Sequence, residues 1–342
     1  MSYEVSTFDG FNNLYLDTCI GDGQCLSTVT TKSSSMMLYY DFLRRKGIQS
    51  PLDVDKHVLE QYKRELPTYI SSISNLPLDK ATIRNRITAV RTCYARLTEL
   101  DVFEHNPFES VKSPKAPKKL PTCFLSSEEI QLVLEETSHF GKMGIRDRAI
   151  LEIFYGTAIR RNELVNLTIH DIDWQGSQLL VRKGKGEKTR YTPMSTENWI
   201  WLSLYLTLVR PGLVKPDSGN ALFLNNRGHR FQPCRMSELS KKYLRRAGFD
   251  VNAACNVFRH SAATHMLENH ADIRVIQVYL GHEDISTTQV YTKVVDTFLK
   301  QEYKNCHPSA MNKPRLCAQA FENYGITDLQ LEQALGISGH YE

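Results

Sequence analysis

The stretch KSPKAPKKLPT at residues 112–122 divides the chain. Its prolines, Pro114, Pro117 and Pro121, remove backbone donors and push the residues before them out of the helical region, so no regular element runs through it. Lys112, Lys115, Lys118 and Lys119 make it strongly basic. An extended tether joining two domains is what this composition specifies, and a length of 342 residues accommodates two.

On the N-terminal side, residues 1–32 mix Gly, Asp, Asn and Thr without a clear period and read as an irregular leader. Residues 33–111 read as a helical domain. One helix starts near Ser34, with Met37, Tyr40 and Leu43 in register and Gly47 as its stop; a second follows Asp53, with Val54, Val58, Leu59, Tyr62 and Leu66 along one face. The clearest spans Thr82 to Leu100, where Ile83, Ile87, Val90, Tyr94 and Leu97 recur at steps of three and four. Arg84, Arg86, Arg91 and Arg96 fall on its other faces.

The second domain, residues 123–310, opens with Ser126 and Glu129 at capping-box spacing, and a helix is expected from about Asp147 to Tyr155. The period changes over residues 169–194. Leu179, Leu180 and Val181 are β-prone and run into the basic turn KGKGEK before Tyr191 and Thr192, which reads as a β-hairpin. From Glu197 onward the pattern is mainly helical, and residues 311–342 form a helical extension with Ile326, Leu329, Leu331 and Leu335 on one face. The fold class is therefore mainly α with a small antiparallel sheet: a helical N-terminal domain and a mixed, mostly helical second one.

Composition narrows the function classes. A net charge of +4 permits a nucleic-acid partner without demanding one. The eight cysteines are scattered with no C-x-x-C pair, against both a disulfide framework and a structural zinc site. The N-terminus lacks a basic and apolar signal pattern, and no uncharged apolar run approaches membrane-spanning length, so a soluble, cytoplasmic protein is expected.

Four segments carry the chemistry: GTAIRRNEL at 156–164, the turn around Lys185, NVFRH at 256–260, and LGH at 280–282 followed by STTQVYT at 286–292. In this order and spacing they resemble the tyrosine recombinase (phage integrase) family, most closely its Xer-like and mobile-element members. The resemblance extends over residues 33–310. Each motif is weak alone; four in order are a strong signal. The resemblance implies the helical DNA-gripping domain and catalytic domain of that family. It assigns Arg160 and Arg259 to the non-bridging phosphate oxygens, which guanidiniums hold bidentately and with permanent charge. Tyr291 becomes the covalent nucleophile, Lys185 the proton donor to the leaving oxygen, and His282 a hydrogen-bond partner of the scissile phosphate. No metal or other cofactor is implied, because the arginines take the cation's place. Ser286 and Gln289 have capping-box spacing, which would start a short helix carrying Tyr291.

One position departs from the pattern. The family has His three residues before the second arginine, and this chain has Asn256, which can hydrogen-bond but cannot exchange protons near neutral pH. Asn256 acts as an orienting group, or His260 assists, or the chain relies on a partner recombinase. Glu163 is a helical ion-pair partner of Arg160, and a buttress rather than a catalyst. Arg84 and Arg91 share a helix face and, with Lys115, Lys118 and Lys119, are the candidate DNA contacts.

The function implied is site-specific recombination through a 3′-phosphotyrosyl intermediate and a Holliday junction, with a mobile element as the setting. The partners would be double-stranded DNA sites and further protomers, as a homotetramer on two duplexes or a hetero-oligomer with related recombinases, with no membrane partner. Residues 294–310 correspond to a helix that in Xer-like members docks on a neighbouring protomer, and residues 311–342 would contact protein or restrain the site. Two other functions share these residues: a type IB topoisomerase-like relaxing enzyme, and an accessory DNA-binding subunit that no longer cleaves.

Overall fold

The computed structural model describes residues 3–71, 75–112, 124–182, 189–250, 254–281 and 292–311, then 321, 323–327, 329–331 and 333, with the backbone alone for 27 and 292–298. Lys115, Lys118, Lys119, Lys185, His282, Tyr291 and the Ser286–Gln289 pair lie outside the described residues. The chain divides into two compact units, Met1–Lys119 and Leu120–Glu342. The fold is mainly helical with one three-stranded antiparallel sheet. Among the described residues no helix is long and apolar enough to cross a membrane.

The first unit corrects the reading of residues 1–32 as irregular. Phe8–Gly21 forms a helix (α1), capped by the Thr7 hydroxyl, which accepts from the Gly10 amide. Phe11, Tyr15 and Cys19, four residues apart, are buried, while the polar residues that hid this period, Asp9, Asn13 and Asp17, line the exposed side. The next helix, α2, spans Leu26–Arg45 and so begins eight residues before Ser34. Its first half is polar; Thr30 and Ser35 hydroxyls satisfy themselves on the carbonyls of Leu26 and Thr31, which lets a sequence without an apolar period stay helical. Helices α3 (Lys56–Glu65) and α4 (Lys80–Thr98) are capped by Asp55 and Asp79. Their inner faces meet in an aromatic core in which Tyr94 touches Phe11, Tyr39, Phe103 and Phe108.

The second unit is built around one central helix. After α5 (Ser127–Glu135), started by the Ser126–Glu129 capping box, α6 runs from Gly141 to Thr157, and every residue from Gly144 to its end is buried. A helix covered on all sides must satisfy its own charges. Arg148 pairs with Glu152 at 2.8 Å, and Arg146 pairs with Asp147 at 2.7 Å. Asp147 also accepts from the Tyr243 hydroxyl at 2.6 Å. The short α7 (Arg161–Asn166) leads to β1 (Ile172–Asp173), β2 (Gln178–Val181) and β3 (Arg190–Pro193), in that order across the sheet. Leu179 pairs with Thr192 and Val181 with Arg190; Leu179 and Val181 face the core.

Helices α8 (Thr196–Leu204), α9 (Pro233–Arg246), α10 (Ala254–Glu268), α11 (Ile273–Leu280), α12 (Thr292–Cys306) and α13 (Pro308–Met311) complete the unit. Helix α12 packs on its own domain, with Leu299 and Tyr303 buried in the same core as α6. Of the amphipathic face expected in residues 311–342, Leu331 packs against the core and Leu335 lies outside the described residues. Ile326 precedes the helical residues and is buried, whereas Leu329 is 64% exposed. What holds this segment is aromatic: the Tyr324 ring packs tilted against Trp201, centroids 4.9 Å apart, and its hydroxyl lies 2.6 Å from that of Thr137.

Candidate active site

The end of α6 positions the first arginine. The helix closes on Ala158, whose φ of 47° is left-handed, and the chain turns so that Arg160 stands immediately before α7. Glu163, one turn into α7, accepts from the Arg160 amide at 2.8 Å and from its guanidinium at 3.0 Å. The other terminal nitrogen of Arg160 donates to the Gly281 carbonyl at 3.0 Å. Arg259 comes from α10, is buried, and donates to the carbonyls of Ala158 and Leu280. Two arginines 99 positions apart in sequence therefore end on consecutive carbonyls, those of residues 280 and 281, directly before His282.

The electrostatics follow. Burial and the neighbouring positive charge of Arg160 pull Arg259 down to about 10, so its cation is held at a cost that an incoming anion would relieve. Burial pushes Glu163 up, but its hydrogen bonds and charge pairing with Arg190 and Arg160 outweigh that and bring it to about 2. It remains a carboxylate at any working pH and serves the arginines as a buried counter-ion. Asn256 sits one turn before Arg259 on α10 and is exposed. His260 is half-buried, and burial followed by the Arg259 charge lowers its pKa, which favours the neutral ring.

Arg190 belongs to this cluster and was not legible as a site residue. It donates to both carboxylate oxygens of Glu163, at 3.1 and 2.8 Å, and its guanidinium lies 2.9 Å from where a Cβ on Gly281 would fall. In the sequence it is one more cation after a basic turn; the available signal was that β3 register places it at the site end of the strand. Tyr279, Tyr303 and His307 were likewise missed, because buried tyrosines resemble ordinary packing residues.

The candidate DNA contacts are differentiated. Arg84 is exposed on α4 and Arg91 half-buried. Arg86 donates to the Ser34 carbonyl at 2.9 Å, and Arg96 is tied to Asp22 and Glu99 at 2.8 and 2.7 Å. Among the described residues no three His, Cys, Asp or Glu side chains gather as a metal-binding set.

This arrangement, one buried and one half-buried arginine converging in a mostly helical domain, matches a known class. The chain belongs to the phage integrase family, which it matches over residues 123–297; these are tyrosine recombinases, enzymes that cut and rejoin DNA. It is Xer-like. It is 33% identical over 304 residues to tyrosine recombinase XerC 2 of Ralstonia nicotianae, covering 89% of this chain and 87% of that protein. It is 32% identical to tyrosine recombinase XerC of Oceanobacillus iheyensis, covering 87% of this chain and 97% of that protein. The fold is similar to that of XerH site-specific recombinase bound to its difH substrate in a pre-cleavage complex, with a TM-score of 0.60 at 20% identity over 86% of this chain and 82% of that one.

Proposed function

We propose that this chain recombines specific DNA sites through a covalent 3′-phosphotyrosyl intermediate. The observation that carries the proposal is the convergence of Arg160 and Arg259 on the carbonyls of residues 280 and 281. A phosphodiester entering there would meet two permanent cations whose charges already repel each other. Tyr291 Oη gives up its proton to solvent and attacks phosphorus, a P–O bond forms to the phenol, and the bond to the 5′-oxygen breaks. Lys185 gives that oxygen its proton. The phosphotyrosine retains the bond energy, so attack by a 5′-hydroxyl from a second strand regenerates the tyrosine and joins the new strands. Two rounds, by opposed protomer pairs of a tetramer holding two duplexes, pass through a Holliday junction.

Asn256 supports an orienting role only, since an amide cannot relay the phenol proton. The same residue favours a second reading, an accessory subunit that binds DNA while a related recombinase cleaves. The departure at this position and the added C-terminal segment favour a mobile element as the setting over a chromosomal one.

The test uses nicked duplexes taken from the sequences flanking the protein's own gene, followed by a denaturing protein gel. A covalent adduct with the wild type and none with Tyr291→Phe is the expected result. Binding without any adduct would overturn the proposal in favour of the accessory subunit, unless Asn256→His restores the adduct.

A further inference from the structure

We propose that Tyr279 and Tyr303 are positioning residues. Their phenols meet on the carbonyl of Gly156 and so set the chain on both sides of residues 282–291 against the turn that presents Arg160. The inference rests on the reading of Tyr291 as the nucleophile.

The last turn of a helix leaves carbonyls without intrahelical partners, and a buried helix end must find them elsewhere. At the end of α6, Tyr279 Oη donates to Gly156 at 3.0 Å and Tyr303 Oη donates to the same oxygen at 2.8 Å, which uses both of its lone pairs. His307 Nε2 lies 3.3 Å from the Tyr155 carbonyl, and Thr192 Oγ1 donates to that of Thr157 at 3.3 Å. The helix that delivers Arg160 is thus capped by side chains from β3, α11, α12 and the residue after α12. Tyr279 is in the last turn of α11, two residues before Gly281; Tyr303 is on α12, twelve residues after Tyr291.

Both phenols are buried, and burial raises their pKa, so each keeps its proton and can donate. Packing alone explains the rings but not the hydroxyls: Phe would fill the same space. Arg259 and Arg160 add their bonds to the Leu280 and Gly281 carbonyls, and on the far side Lys300 Nζ donates to Gly176 at 3.0 Å. The two elements that flank residues 282–291 in sequence, α11 and α12, are thereby tied to the arginine-bearing frame. Gly156 takes its place because a Cβ there would stand 2.0 Å from Asn198 Oδ1, so no side chain can separate the carbonyl from its two donors.

The experiment compares wild type, Tyr279→Phe, Tyr303→Phe and the double variant as full-length protein, with Tyr291→Phe as control, at a temperature where each is folded by circular dichroism. Single-turnover adduct formation on the nicked duplex and DNA affinity by band shift are both measured. Each single variant should cleave about three- to tenfold more slowly, the loss of one hydrogen bond, with unchanged affinity. The double variant should be slower still, and if it does not fold, the single variants decide. Wild-type cleavage rates in the variants, even with lowered thermal stability, would overturn the inference. If Tyr291→Phe still forms the adduct, it is the nucleophile assignment that fails. The positioning role is then judged by amide hydrogen exchange, which should accelerate across 282–291 in both variants; unchanged exchange would refute it.

Discussion

Arg190 and Glu163 form a two-point ion pair, with both carboxylate oxygens engaged at 3.1 and 2.8 Å. Glu163 also holds Arg160, so one buried carboxylate aligns two guanidiniums from different elements. Removing its charge leaves both cations, and Arg259 behind them, without a counter-ion. The sign of the pH effect follows from the lowered pKa. Ionised Glu163 stabilises the fold fully above its ordinary value of 4.5, and that stabilisation is lost as pH falls toward about 2. It amounts to about 3 kcal/mol. Thermal melts of wild type should therefore steepen in their decline between these pH values, and Glu163→Gln should be less stable at neutral pH and flatter across the acid window. Parallel curves for the two proteins would count against the pair.

Ala158 closes α6 with a φ of 47°, a conformation that costs a residue bearing a Cβ about 1 kcal/mol. It is buried, with its carbonyl held by Arg259. Ala158→Gly relieves the strain, loses one methyl group from the core and adds freedom to the unfolded chain. The two losses together match or slightly exceed the relieved strain, with a denaturation midpoint equal to or slightly below wild type, whereas Ala158→Val should fall well below it. A glycine variant much less stable than wild type would show that the methyl group matters more than the backbone.

Gly156 tolerates no side chain. A Cβ would lie 2.0 Å from Asn198 Oδ1, and Asn198 cannot withdraw, because it accepts from Ser195 N at 3.1 Å and donates to the Glu152 carbonyl at 3.0 Å. Gly156→Ala should cost about 2–3 kcal/mol by overpacking and broken hydrogen bonds. Chemical denaturation would measure it, and a loss well under 1 kcal/mol would mean the Asn198 network can rearrange.

How much of this was legible in the sequence depends on how the residues advertise themselves. Apolar residues at regular steps gave α4, and β-prone residues beside a Gly-Lys turn gave the hairpin strands, because one physical signal dominated each. Helix α1 was hidden because Asp9, Asn13 and Asp17 dilute the apolar positions while standing on the outer face. Arg160 and Arg259 were found through their motifs, but Arg190 has no motif of its own; only the return of β3 beside Glu163 makes it a site residue. Tyr279 and Tyr303 depend on one carbonyl shared across more than a hundred residues of sequence, which no local pattern encodes.

Arg259 makes the most discriminating substitution. Its guanidinium spans the Ala158 and Leu280 carbonyls, a reach that a single ammonium cannot reproduce. Charge matters as much as shape. Burial and Arg160 bring the arginine down to about 10, which still leaves it fully protonated near neutral pH. A lysine starts about two units lower, so the same burial and the same Arg160 charge would bring Arg259→Lys closer to losing its proton than the arginine. The variant should therefore cleave more slowly than wild type at every pH and fall further behind as pH rises from 7 to 9, while wild type holds its rate. The ratio of the two single-turnover rates across that range is the measurement. A constant ratio would mean that the lysine keeps its proton, and that the loss comes from the missing second hydrogen bond rather than from the charge.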